Sequence, residues 1–134
     1  METYNRQEFL DHGIEFDFVQ DNLSISRKGV IRGLHFQCDP HAQGKLVRVI
    51  RGKAWDVVVD LRPDSKTFGR SYGVELDALS GRQLWIPPGF AHGFEALEDD
   101  TVFSYKVTAY YNKSSEAGIR YDDPELNIHW KTSR

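Results

Sequence analysis

A chain of 134 residues has room for one domain around one modest core. With 40% hydrophobic, 13% aromatic and 28% charged residues it is too apolar for disorder. A net charge of −3 with both signs interspersed excludes the basic field that nucleic acid requires and the polybasic stretch that a membrane surface requires.

The predicted elements begin with a short helix or turn over Glu2 to His12, with Phe9 and Leu10 as its apolar side. From Phe16 the pattern becomes that of strands. Asp17 to Gln20 alternates, and Asn22 to Ser26 reads as a polar connection leading into Gly29 to Phe36. The β-branched run Lys45 to Ile50 ends at a turn over Arg51-Gly52-Lys53, and Trp55 to Leu61 follows as a strand carrying two carboxylates. Further strands are predicted over Tyr72 to Leu76, Arg82 to Ile86, Gly93 to Ala96, Val102 to Thr108 and Ile119 to Tyr121. Gly, Pro, Asp and Asn separate them at short intervals, as in an all-β sandwich or barrel. No linker, repeat or low-complexity tract divides the chain, so residues 1–134 read as a single domain. Such a domain must hide its sheet edges by closure or by pairing with a second copy, and a homodimer is the default expectation. Cys38, the single cysteine, cannot form an internal disulfide. With no signal peptide or long apolar run in view, this predicts a reducing, cytoplasmic setting.

Four clusters place reactive groups on or beside rigid strands. In Arg32-Gly33-Leu34-His35-Phe36-Gln37 simple alternation puts Arg32 and His35 on opposite faces, whereas a bend or bulge at Gly33 would bring them together. On this segment alone His35 reads either as a satisfied core histidine or as a base. Lys45, in Gln43-Gly44-Lys45, is either a surface lysine at a strand edge or a fixed cation pointing inward, able to stabilise an oxyanion. In Pro87-Pro88-Gly89-Phe90-Ala91-His92-Gly93-Phe94 a tight turn aims His92 across from the preceding strand. The Pro-x-Gly-x-x-His pattern resembles the second motif of cupin barrels. Metal-binding cupins also need a His-x-His pair; here His35 and His41 are too far apart along the chain to chelate easily, and no metal site is expected. Tyr105, before Lys106 and upstream of Tyr110 and Tyr111, reads as a packed tyrosine or as a general acid opposite a histidine base.

Taken in order, Phe18 to Asn22, Gly29 to Gln37, Gly44 to Arg48, Trp55 to Arg62, Ser65 to Gly69, Ile86 to Phe94 and Tyr105-Lys106 resemble the dTDP-4-dehydrorhamnose 3,5-epimerase family. The match runs with few gaps from Glu2 to Trp130. The resemblance implies a cupin-type jelly-roll β-barrel acting as a homodimer, without cofactor, on dTDP-4-dehydro-6-deoxyglucose in rhamnose and surface-polysaccharide biosynthesis. It implies His35 as base, Tyr105 as acid on the opposite face of the sugar, and Lys45 as the cation that steadies the enolate. Arg32, His92, Gln20 and Asn22 match substrate-binding positions, with Glu2, Glu116 and Tyr110 beside them. These residue types suit the chemistry. Protons on C3 and C5 flank the C4 ketone, and removing either leaves an enolate with its charge on the C4 oxygen. A neutral imidazole is a serviceable base at pH 7, the enolate needs a fixed cation, and inversion needs a proton from the far side.

Family members usually carry a further N-terminal strand segment before the motif that begins here at Glu2. They also continue past the position of Trp130 to a lysine–aspartate pair whose aspartate orients the catalytic histidine. Here Lys131-Thr132-Ser133-Arg134 closes the chain without that pair. Asp56 or Asp60 is the expected substitute, with Asp56 placed to contact His92 rather than His35. Two other readings stay open: a mono-epimerase or ketoisomerase on a related nucleotide sugar, and a non-catalytic homologue that binds one.

Overall fold

A computed structural model describes residues 1–132; Ser133 and Arg134, part of the closing tetrapeptide read above, lie outside the described residues. Helix α1 (Arg6–Asp11) is followed by β1 (Gln20–Ser26), β2 (Ile31–Gln37), β3 (Lys45–Arg51), β4 (Lys53–Asp60) and β5 (Ser71–Asp77). Then come β6 (Gln83–Ile86), β7 (Phe90–Ala96), β8 (Thr101–Val107), a 3-10 turn (Lys113–Ser115) and β9 (Glu116–Gly118). The strands form two sheets, ordered β1-β8-β3-β6 and β5-β4-β7-β2-β9, with antiparallel pairing throughout. The sheets face each other as a jelly roll.

Alternation decides what lies between them. Val47, Val49, Ile86 and Phe103 from the first sheet meet Ala54, Val58, Leu76 and Phe94 from the second in one buried cluster. Phe94 and Phe103 stack at 4.0 Å with nearly parallel rings. Val57 and Val59, the alternate positions of β4, point to the opposite face of their sheet. There, with Leu34 and Ala91, they form a second core under Ile119, Leu126, Ile128 and Trp130. The continuous apolar run of β4 therefore reports a strand covered on both sides. Buried Glu95 pins this C-terminal cover: its carboxylate accepts from the backbone N–H of Lys131 (2.8 Å) and Thr132 (3.0 Å) and from the Thr132 hydroxyl. At the other end Asn5 caps α1 by accepting from the Glu8 N–H at 3.1 Å, and Tyr4 packs edge-on against Phe9 and Phe18. Leu10, expected on the apolar side of the helix, is exposed. Among the described residues no helix is long and apolar enough to cross a membrane.

Three expected elements differ. Asn22 to Ser26 is strand rather than connection: Asn22, Ser24 and Ser26 turn inward while Asp21, Leu23 and Ile25 turn outward. The polar side of β1 is the inner one, with Ser24 bordering a cavity, which inverts the usual pattern. Asp17 to Val19 precedes β1 because Phe18 is spent on covering Trp85 from outside. The last strand is Glu116–Gly118, not Ile119 to Tyr121, although Ile119 still exchanges two 3.0 Å backbone bonds with Leu34.

Candidate active site

Between the sheets opens a cavity of about 530 Å³, a size that suits a nucleotide sugar. Arg32 and His35 from β2, Lys45 from β3, His92 from β7, Tyr105 from β8 and Glu116 from β9 line it.

Arg32 and His35 reach the same cavity because β2 is bulged. Arg32 pairs with Phe94 and His35 with His92, so two residues of β2 stand opposite the single Gly93 of β7. Gly33 lies at φ 117°, and a Cβ there would come within 2.6 Å of the Gly93 Cα and 2.7 Å of the His92 carbonyl oxygen. A Cβ on Gly93 would in turn meet the Arg32 carbonyl oxygen at 2.7 Å. Two glycines thus let the backbones touch, and the extra residue sends Leu34 into the outer core while Arg32 and His35 both face inward.

Burial sets the electrostatics. Lys45 is 8% exposed, and loss of hydration lowers its pKa to about 8, against the pull of Asp56 and Glu116. Its Nζ lies 5.7 Å from the centre of the Tyr105 ring. Partial burial brings His35 below its ordinary 6.5; Glu116 opposes this, while Lys45 and His92 add to it. Burial pushes the Tyr105 phenol above 10, with Arg32 opposing. At neutral pH the site therefore holds a neutral imidazole, a protonated phenol and an ammonium group.

Asp56 contacts His92, with Oδ1 2.5 Å from Nε2, and is fully buried. Desolvation raises its pKa, chiefly against the attraction of His92. Neither expected substitute serves His35. Asp56 is taken by His92, and Asp60 is held by Arg62, Ser65 and Thr67 in the loop after β4. The carboxylate that approaches His35 is Glu116, with Oε1 3.9 Å from Nδ1.

Glu2, Gln20, Asn22 and Tyr110 do not line the cavity. Gln20 donates to Asn22 (3.0 Å) and accepts from the Tyr111 backbone N–H (3.3 Å), so the pair shapes the loop at the rim. That loop is also gripped by Gln37, which donates to the Tyr110 carbonyl and accepts from the Asn112 N–H, and by Gln43, which donates to the Ala109 carbonyl. Sequence reasoning missed these glutamines. It also chose Tyr110, which is 68% exposed, over its neighbour Tyr111, which lines the cavity and donates to Glu116 at 2.6 Å. The Tyr-Tyr pair was the available signal; which of the two turns inward is set by the loop, not by periodicity. Arg32 donates to the Ser26 hydroxyl (2.9 Å), which fixes its guanidinium beside the cavity. Among the described residues no group of three or more His, Cys, Asp or Glu side chains is placed to hold a metal ion.

The family profile described as dTDP-4-dehydrorhamnose 3,5-epimerase matches residues 1–134. The chain belongs to the dTDP-4-dehydrorhamnose 3,5-epimerase family. It is 52% identical over 131 residues to the dTDP-4-dehydrorhamnose 3,5-epimerase of Shigella flexneri, covering 97% of this chain and 72% of that protein. The crystal structure of the Bacillus anthracis dTDP-4-dehydrorhamnose 3,5-epimerase, with TDP and PPi bound, superposes with a TM-score of 0.97 at 46% identity. That match covers 99% of this chain and 77% of the other. The dTDP-6-deoxy-D-glucose-3,5-epimerase of Legionella pneumophila, in complex with dTDP-4-keto-L-rhamnose, gives a TM-score of 0.94 at 48% identity over 98% of this chain and 70% of that one. Members of this epimerase family share the cupin-type jelly roll described above.

Proposed function

We propose that this chain inverts C3 and C5 of dTDP-4-dehydro-6-deoxy-D-glucose by proton removal and return, forming the 4-dehydrorhamnose nucleotide used for rhamnose-containing surface polysaccharide. The observation that carries the reading is the convergence of His35, Lys45 and Tyr105 on one cavity, with pKa directions that suit a base, a cation and an acid. His35 takes the proton from the carbon beside the ketone. The electron pair moves to the C4 oxygen, where Lys45 supplies positive charge with little water to screen it, an effect worth about 10²–10³-fold in rate. Tyr105, on the opposite sheet, gives a proton to the other face of the same carbon, and the configuration inverts. Positioned acid and base groups contribute about 10²–10⁴-fold. Each inversion leaves the abstracted proton on His35 and Tyr105 short of one, and exchange with water resets both before the second carbon reacts; no oxidant or reductant takes part. Arg32, His92 and Glu116 hold the sugar nucleotide, and Asp56 fixes the His92 ring. Gln20, Asn22 and Tyr110 act at the rim, and Glu2 adds a contact from outside the cavity.

Residues 1–134 act as one domain in a cytoplasmic enzyme, where exposed Cys38 stays reduced. The enzyme works as a homodimer, which would cover the apolar outer side of edge strand β1, where Leu23 and Ile25 are each about 60% exposed.

The test is incubation with dTDP-4-dehydro-6-deoxy-D-glucose in deuterated water, followed by NMR at C3 and C5. Deuterium and inverted configuration at both carbons are expected. Change at one carbon alone would replace the reading with a mono-epimerase, and binding without exchange would replace it with a non-catalytic homologue.

A further inference from the structure

We propose that Ser24 is a further substrate-positioning residue, whose hydroxyl bonds a ring hydroxyl of the sugar; this rests on the function proposed above. The inner face of β1 presents Gln20, Asn22, Ser24 and Ser26. Three of these are engaged by the protein itself. Gln20 bonds Asn22 and the Tyr111 backbone, and Ser26 accepts from Arg32. Ser24 alone is left over: its Oγ is buried with no hydrogen-bond partner. Its neighbour across the ladder is Phe103, fully buried, which has no polar side-chain atom to offer. A buried hydroxyl without a partner costs folding free energy, and such a group calls for a role. Ser24 borders the cavity that also holds Arg32 and Tyr105. Rotation about χ1 between staggered positions moves Oγ without moving the strand, and the cavity is the open space that borders this side chain. A serine hydroxyl is neutral and both donates and accepts, which matches a sugar hydroxyl; a diphosphate would be drawn to the cationic side chains.

The experiment measures binding of dTDP-glucose and of dTDP alone to wild type and to Ser24→Ala by calorimetry, with the thermal midpoint of each protein. The sugar nucleotide should bind the variant about 2- to 13-fold more weakly, the span expected for one neutral hydrogen bond, with dTDP affinity unchanged and the midpoint equal to or above that of wild type. Equal affinities in both proteins would mean that water satisfies the hydroxyl, and would overturn the assignment. So would a lowered midpoint with both ligands weakened, the mark of a structural role. Failure of wild type to bind either ligand would overturn the functional reading itself, a result separable from any difference between wild type and variant.

Discussion

Lys45 carries its charge where burial opposes it. In the native state its pKa falls from the ordinary 10.5 to about 8, so between those values the unfolded chain binds the extra proton and the native chain does not. Stability therefore rises with pH across that window, while below pH 8 the cost of the buried charge, on the order of 3 kcal/mol, is present in full. Replacing the charge with an isosteric apolar group should relieve it. Lys45→Met is expected to gain about 1–3 kcal/mol in urea unfolding at pH 7 while turnover drops by about 10²–10³-fold. A variant that lost both stability and activity would mean the ammonium is held for the fold. The same groups set the pH–rate profile. Turnover should decline above about pH 8 as Lys45 loses its proton, and decline on the acid side at a pH below 6.5 as His35 gains one. Tyr105, pushed above 10, stays protonated through this range. Lys45→Arg should carry the basic limb upward if it retains measurable turnover; a limb fixed near pH 8 in that variant would assign it to another group.

The bulge in β2 is the element on which the site depends. Gly33→Ala would drive a Cβ into the backbone of β7 and strain a positive φ, with the loss of about 2–4 kcal/mol in stability and at least about 10²-fold in turnover, checked by unfolding and rate measurements on the same preparation. A near-normal enzyme would show that β2 can be repaired without the glycine contact. Strands with an apolar signature were legible in the sequence. β3, β4, β7 and β8 carry β-branched or aromatic runs because one or both of their faces are packed. β1 was not legible, since its inward residues are polar and its outward ones apolar, and a three-residue strand such as β9 has too little length for a period to emerge. His35, Lys45 and Tyr105 stood out as reactive types on strands. Gln37, Gln43, Ser24 and Glu95 did not, because serine, glutamine and glutamate are ordinary surface residues whose meaning here comes from the cavity or the segment they face.

At the scale of the whole molecule two features matter. The outward side of edge strand β1 carries Leu23 and Ile25 in the open, and Ile50 of β3, beyond β8 in the same sheet, is exposed as well. If a second copy covers that side of β1, the double variant Leu23→Lys, Ile25→Glu should sediment as a monomer where the wild type sediments as a dimer; a wild-type monomer would remove the dimer from the account. The other feature is the opposition of the two sheets, which brings His35 from one and Tyr105 from the other to a single cavity. Following deuterium uptake and inversion at C3 and C5 together, in wild type, His35→Asn and Tyr105→Phe, reads out that division of labour. The account predicts no uptake without the imidazole, and uptake that outlasts inversion without the phenol. Wild-type uptake in His35→Asn, or equal loss of uptake and inversion in Tyr105→Phe, would contradict it.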